Sequence, residues 1–140
     1  MGRRQIGIRG FSLAEMMVVI VIFGILVAMS IPGISRFMRS NRLMGAMDEL
    51  MVDMNYTRAL ATSKRKTIQM TFTTDQYAII EVSTGDTVRT RSMPQGVQCT
   101  ASADPNFYAW GLADPVSITI DGGSATKIVN LSANGSVSHY

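Results

Sequence analysis

The sequence predicts an α+β chain: one long N-terminal helix, transmembrane at its start and amphipathic beyond, packed on a small antiparallel β-sheet domain. Three observations predict it. Residues 11–31 are almost wholly apolar. Apolar side chains then recur every three or four positions to about Ser63, the spacing of one helix face. From Ile68 onward they alternate with polar ones, between turns marked by glycine and proline.

The run from Phe11 to Ile31, at 1.5 Å per residue, spans about 30 Å, the thickness of a bilayer's hydrocarbon core. A secretory signal peptide has a shorter apolar core followed by small residues at its cut site. Ala28-Met29-Ser30 offers such residues, but the run is long for that reading. Pro32 and Gly33 close it. Helical periodicity resumes at once, so the proline is expected inside a continuing helix and not at its end. Leu43, Met47, Leu50, Met54, Thr57 and Ala61 form the stripe, with Met44 and Met51 beside them, while Asp48, Glu49, Asp53 and Arg58 are placed on other faces. The amphipathic stretch is expected from about Ser35 to Ser63. The methionines suit plastic core packing rather than a metal or cofactor site.

After Lys64-Arg65-Lys66 the period changes to two. Ile68, Met70 and Phe72 alternate with Gln69, Thr71 and Thr73 as a strand with one buried face. Further strands are expected over Tyr77 to Ser83, Thr87 to Met93, Val97 to Ala101, Val116 to Asp121, Lys127 to Leu131 and Ser136 to Tyr140. Gly85-Asp86, Pro94-Gln95-Gly96, Gly122-Gly123 and Asn134-Gly135 separate them, the last being the strongest hairpin signal because both residues tolerate positive φ. Asp104-Pro105 and Asp114-Pro115 bracket a loop in which Phe107, Tyr108 and Trp110 are expected to act as a packed anchor. The expected division is a leader over 1–10, a transmembrane helix over 11–31, its amphipathic continuation over 32–66 and a β domain over 67–140.

Composition excludes several kinds of chemistry. Cys99 is the only cysteine and His139 the only histidine, so there is no material for an internal disulfide, a cysteine-pair metal site or a histidine-centred triad. Asp121-Gly122-Gly123-Ser124 lacks the Gly-Lys-Ser/Thr that cradles phosphate. No enzyme activity and no cofactor are expected. The net charge of +3 is local: removing the three arginines of the first ten residues leaves basic and acidic residues balanced.

The hexapeptide Gly10-Phe11-Ser12-Leu13-Ala14-Glu15, the basic leader before it, the apolar run after it and Pro32 together resemble the type IV prepilin and pseudopilin signature. The downstream layout is similar to that of the H-type pseudopilin (GspH/FimT) family. That likeness rests on Asn41-Arg42-Leu43, on a helix reaching Lys64-Arg65-Lys66 before the first strand, and on Leu131-Ser-Ala-Asn-Gly135 before the last. The resemblance implies a pilin-like fold and a non-enzymatic filament subunit, either a minor pseudopilin of a type II secretion system or a minor pilin of a type IV pilus. It implies cleavage by prepilin peptidase between Gly10 and Phe11 and N-methylation of Phe11. It further implies assembly through Glu15 and Pro32, and partnership with other pilins, the peptidase, the inner-membrane assembly platform and membrane lipid. The chain would cross the bacterial inner membrane once, with its globular part outside the cytoplasm. That orientation rests on the resemblance, because both flanks of the apolar run are basic.

Glycine before the cut enters a tight site without a side-chain clash. Glu15 lies about one turn into an apolar segment, where an unpaired carboxylate is costly. The family resolves this by pairing it with a neighbour's N-terminal amine. Ser12-Leu-Ala-Glu15 is also a capping box, a role compatible with the first. Arg36, Arg39 and Arg42 are expected to meet lipid headgroups. Lys64, Arg65, Lys66, Arg89 and Arg91, with Lys127, are candidates for a weak DNA or partner contact. Some FimT-like relatives bind DNA through a C-terminal basic motif, but Gly135-Ser-Val-Ser-His-Tyr140 here has no arginine. From Leu43 onward seven basic residues face nine acidic ones, which argues against a nucleic-acid footprint. A third reading is an unrelated single-span membrane protein.

Overall fold

The computed structural model describes residues 11–140, and the side chains of all of these except 30–33. The expected leader and its cut at Gly10 lie outside the described residues. The chain divides into two compact units, one ending at Ser35 and one spanning Arg36–Tyr140. A single helix, α1 (Leu13–Lys64), runs through both and carries Pro32 in its interior, as the unbroken periodicity anticipated.

In the second unit the stripe is buried. Leu43, Ala46, Met47, Leu50, Met54, Thr57 and Ala61 are all buried. All but Thr57 share one apolar cluster with Ile68, Met70, Tyr77, Ile79, Phe107, Val116, Ile118, Ile120, Val129 and Leu131. Residues three and four apart occupy one helical face, and each large side chain buried there contributes about 1.5–3 kcal/mol.

Eight strands follow: β1 (Ile68–Thr73), β2 (Gln76–Glu81), β3 (Thr87–Ser92), β4 (Gln98–Ala101), β5 (Asn106–Phe107), β6 (Val116–Asp121), β7 (Thr126–Leu131) and β8 (Val137–His139). They form two four-stranded sheets where the sequence suggested one, ordered β3-β2-β1-β5 and β4-β6-β7-β8. Every pairing is antiparallel, with Met70 opposite Ile79 in the first sheet and Ile118 opposite Val129 in the second. The split arises because the chain changes sheet three times, entering the second at β4, returning for β5 and leaving again for β6. The segment between Pro105 and Pro115 was read as a loop. It contains β5, whose two residues pair with Ile68 and Gln69 and place Phe107 at zero exposure in the core.

Tight turns need left-handed residues, and Gly85, Gly96, Gly111, Gly123 and Gly135 supply them. One position is filled otherwise. Helix α1 ends with Arg65 N–H donating to Thr62 O at 3.3 Å and Lys66 N–H to Ala61 O at 3.1 Å, a paired closure of the last carbonyls. Arg65 takes the left-handed place in it, at φ 54°. An L-residue held there is strained by about 1 kcal/mol relative to glycine. Arg65→Gly is therefore expected to stabilise the fold by up to about 1 kcal/mol, read as a rise in denaturant midpoint at unchanged slope.

Candidate functional site

At the head of α1, Ser12 and Glu15 satisfy each other. Ser12 N–H donates to Glu15 Oε2 at 3.0 Å, and Glu15 N–H donates to Ser12 Oγ at 3.2 Å. This is the reciprocal capping box expected from the Ser-x-x-Glu spacing, with Glu15 favoured near the positive end of the helix dipole. Beyond it the apolar side chains find no cover. Phe11 is 75% exposed, Leu13 80%, Ile20 69% and Phe23 68%, and each described residue of 11–29 is exposed. The helix is long and apolar enough to cross a membrane. Phe11 lies two residues before the helix and Glu15 in its first turn; Pro32 is a helical residue farther along.

The basic candidates of the β unit fall into two separate clusters, each built around a carboxylate. Asp53 was placed on a polar face, and the structure corrects this: it has zero exposure. Arg89 Nη1 donates to its Oδ1 at 2.6 Å, Arg91 Nε to its Oδ2 at 3.1 Å, and the Tyr77 hydroxyl to Oδ2 at 2.9 Å. Arg91 also pairs with Glu49 at 2.7 Å, and the Arg89 guanidinium lies 4.5 Å from the centre of the Tyr56 ring. Burial, then the Asp53 carboxylate, pushes the Tyr77 phenol far above its ordinary value, so it stays protonated as a donor. The hydrogen bond to Asp53 raises Arg91 as well. The signal for Asp53 was legible: it lies three residues after Leu50 and four before Thr57, inside the apolar stripe.

The second cluster centres on Glu81, at the end of β2 and 5% exposed. Lys64 Nζ pairs with Oε2 at 3.0 Å, Lys66 pairs with Oε1, and the Ser83 hydroxyl donates to Oε1 at 2.8 Å. These bonds, from Lys66, Lys64 and Ser83 in that order, hold the Glu81 carboxyl at about 2, well below its ordinary 4.5. Parity along β2 foretold its direction, since Tyr77, Ile79 and Glu81 share one face. Of the five basic candidates, Lys64, Lys66, Arg89 and Arg91 are thus engaged with carboxylates of their own chain. Arg65 is exposed.

Trp110 departs from the expected packed anchor. It is 70% exposed and stacks on Tyr108 with ring centres 5.1 Å apart and planes 2° from parallel. The Tyr108 hydroxyl donates to Asp114 Oδ1 at 3.0 Å, which fixes that ring in turn. Arg58, another residue assigned to a polar face, reaches two turns: its Nε donates to Gly111 O at 2.9 Å and its Nη1 to Gly135 O at 3.4 Å. Cys99 is buried, as expected of a small core residue. No group of three or more metal-ligating side chains occurs among the described residues.

Two outcomes follow from the carboxylate clusters. Asp53→Ala leaves the Tyr77 hydroxyl buried without its acceptor and strips two arginines of their partner, so it is expected to cost about 3 kcal/mol in chemical denaturation. For Glu81, a folded-state pKa below the ordinary value means a contribution complete above pH 4.5 and lost as pH falls towards about 2. Glu81→Gln should therefore lower the melting temperature at neutral pH, and its deficit against the parent chain should close across that acid window.

Residues 7–31 match a family described as the prokaryotic N-terminal methylation motif. No curated protein sequence matches the chain. Among solved structures, the chain is similar to the type IV minor pilin FimU of Pseudomonas aeruginosa strain PAO1, with a TM-score of 0.62 at 18% identity, over 74% of this chain and 92% of that one. A second crystal form of FimU gives 0.59 at 16% identity, over 69% and 91%. The minor pseudopilin EpsH from the Type 2 Secretion System of Vibrio cholerae gives 0.57 at 11% identity, over 66% and 91%. The chain therefore joins a prokaryotic N-terminal methylation motif to a pilin-like fold, the combination that marks the type IV pilin and pseudopilin superfamily.

Proposed function

We propose that this chain is a non-enzymatic filament subunit, a minor pseudopilin of a type II secretion system or a minor pilin of a related type IV pilus. The supporting observation is the placement of Glu15: a carboxylate in the first turn of a helix whose apolar side chains are exposed over 11–29. Water does not tolerate such a surface, and neither lipid nor a helix bundle tolerates the charge alone. Ser12 occupies one carboxylate oxygen through its N–H. The second is suited to the methylated amine that cleavage between Gly10 and Phe11 would create on a neighbouring subunit.

On this reading prepilin peptidase trims and methylates the chain in the inner membrane, leaving the β unit outside the cytoplasm. The assembly platform then lifts the helix from lipid into a bundle of pilin helices. Pairing of Glu15 with an amine sets the axial register, because a costly lone charge is relieved only where a partner's N-terminus arrives. Pro32 lies past the apolar run, where it shapes the helix that enters the bundle. The subunit needs no cofactor for this.

N-terminal mass spectrometry of the chain from membranes is expected to show a start at methylated Phe11, and an intact Met1 or a start near Ser30 would sink the proposal. Gly10→Val should block that processing. Glu15→Ala should still be processed but enter filaments poorly, reducing incorporation by about tenfold, a loss equivalent to roughly 1.4 kcal/mol. Normal incorporation of the Glu15 variant would leave the carboxylate with its capping role alone.

A further inference from the structure

Arg39 and Arg42 line an open cleft of about 420 Å³ with Gln95, Gly96, Gly122 and Gly123. All six residues belong to the Arg36–Tyr140 unit. Its walls are three elements. Arg39 and Arg42, three apart, share one side of α1. Gln95-Gly96 forms a tight turn in which Val97 N–H donates to Pro94 O at 2.9 Å and Gly96 takes φ 79°. Gly122-Gly123 forms the β6–β7 turn, closed by Gly122 N–H donating to Ala125 O at 2.9 Å and Gly123 N–H to Asp121 Oδ1 at 2.8 Å. The second turn sits hard against the helix: a Cβ at Gly122 would stand 3.3 Å from Leu43 Cβ. Arg42 ties the first turn to the same helix through Nη1 donating to Gln95 O at 3.3 Å.

The charge of this cleft is unlike that of the two carboxylate clusters. Arg89, Arg91, Lys64 and Lys66 all meet carboxylates. Among the described residues, neither Arg39 nor Arg42 does, and no carboxylate lines the cleft. The nearest in sequence, Asp121, already accepts from Gly123. Gly96 N–H has no acceptor among the described residues. Two guanidinium groups and a backbone donor around an open space form a site for an anion with several acceptor oxygens.

We propose that this cleft binds a phosphate group, presented by a phospholipid headgroup or as the free ion, with Arg39 and Arg42 as its charge partners and Gly96 N–H as a third donor. In the chain the cleft's arginines follow directly on the apolar run, which makes phospholipid the more abundant source. The binding is independent of filament assembly, so each reading can fail without the other.

The test uses the full isotope-labelled chain and follows the Gly96 amide and the arginine Nε–H signals by NMR. Inorganic phosphate is titrated into the chain in zwitterionic micelles, and nanodiscs of phosphatidylglycerol are compared with nanodiscs of phosphatidylcholine. Saturable shifts with inorganic phosphate support the cleft as a free-phosphate site, and shifts in nanodiscs of either phospholipid, each of which carries the phosphate, support it as a headgroup site, larger with phosphatidylglycerol because its net charge is negative. Absence of saturable shifts under both conditions overturns it. Arg39→Gln and Arg42→Gln should each weaken binding by about tenfold. Arg39 makes no bond to the turn, so its variant separates anion contact from support of the Gln95-Gly96 backbone. Arg36→Gln, on the same basic stretch but outside the cleft, should change binding by less than about twofold. A loss in that variant equal to the loss in Arg39→Gln would mean diffuse charge attraction and would also overturn the site.

Discussion

From Leu13 to Met29 the helix has no apolar surface to lie against among the described residues of its own unit. Some thirty ångströms of Val, Ile, Leu, Met and Phe would have to be hydrated, against a gain of about 25 cal/mol for each square ångström taken out of water. Only two solvents remove that cost: hydrocarbon, or the apolar sides of other helices. The first allows the chain to exist alone in a membrane, and the second allows it to exist in a polymer. A helix apolar on all sides is compatible with both, which is the physical basis for moving between them.

The second half of the same helix obeys the opposite rule. It has one apolar stripe, and the cluster that buries it contains residues from both sheets. Two carboxylates punctuate that contact. Asp53 lies within the stripe and takes its partners from β2 and β3; Glu81 lies at the end of β2 and takes Lys64 from the last turn of the helix. Apolar packing alone tolerates sliding of a helix over a sheet, whereas buried ionic contacts are satisfied at one setting and costly elsewhere. The amphipathic half of α1 is thereby fastened near its middle and at its end. The two clusters also consume four of the unit's cations, so its neutral balance is local as well as global.

Much of this was legible in the sequence, and the misses have definite causes. The length of the helix, its passage through Pro32 and the stripe from Leu43 to Ala61 follow from periodicity, and seven of the eight strands follow from alternation bounded by turn residues. The two-residue β5 is too short to show a period, and its neighbours Asp104, Pro105, Asp114 and Pro115 carry the composition of a loop. The division into two sheets is a long-range choice that no local spacing encodes. Asp53 and Arg58 were assigned to polar faces by residue type when spacing placed Asp53 with Leu50 and Thr57. At the helix head, Ser12 and Glu15 were readable because a capping box is a contact three residues long. The Arg39–Arg42 cleft was not, because its two turns lie more than fifty residues beyond its arginines.

Arg58 carries a consequence for how the unit is completed in time. Its guanidinium is held by carbonyls 53 and 77 residues further along the chain, at Gly111 and Gly135. At Gly135 there is no room for even a methyl group, since a Cβ would stand 2.7 Å from Arg58 Nε and 2.8 Å from Gly111 O. The helix is made first and this clasp last, after a loop closure that spans most of the unit. A nascent chain anchored by its apolar end would hold its amphipathic half partly uncovered until the final hairpin emerged. Until then the stripe from Leu43 to Ala61 lacks part of the apolar cluster that covers it.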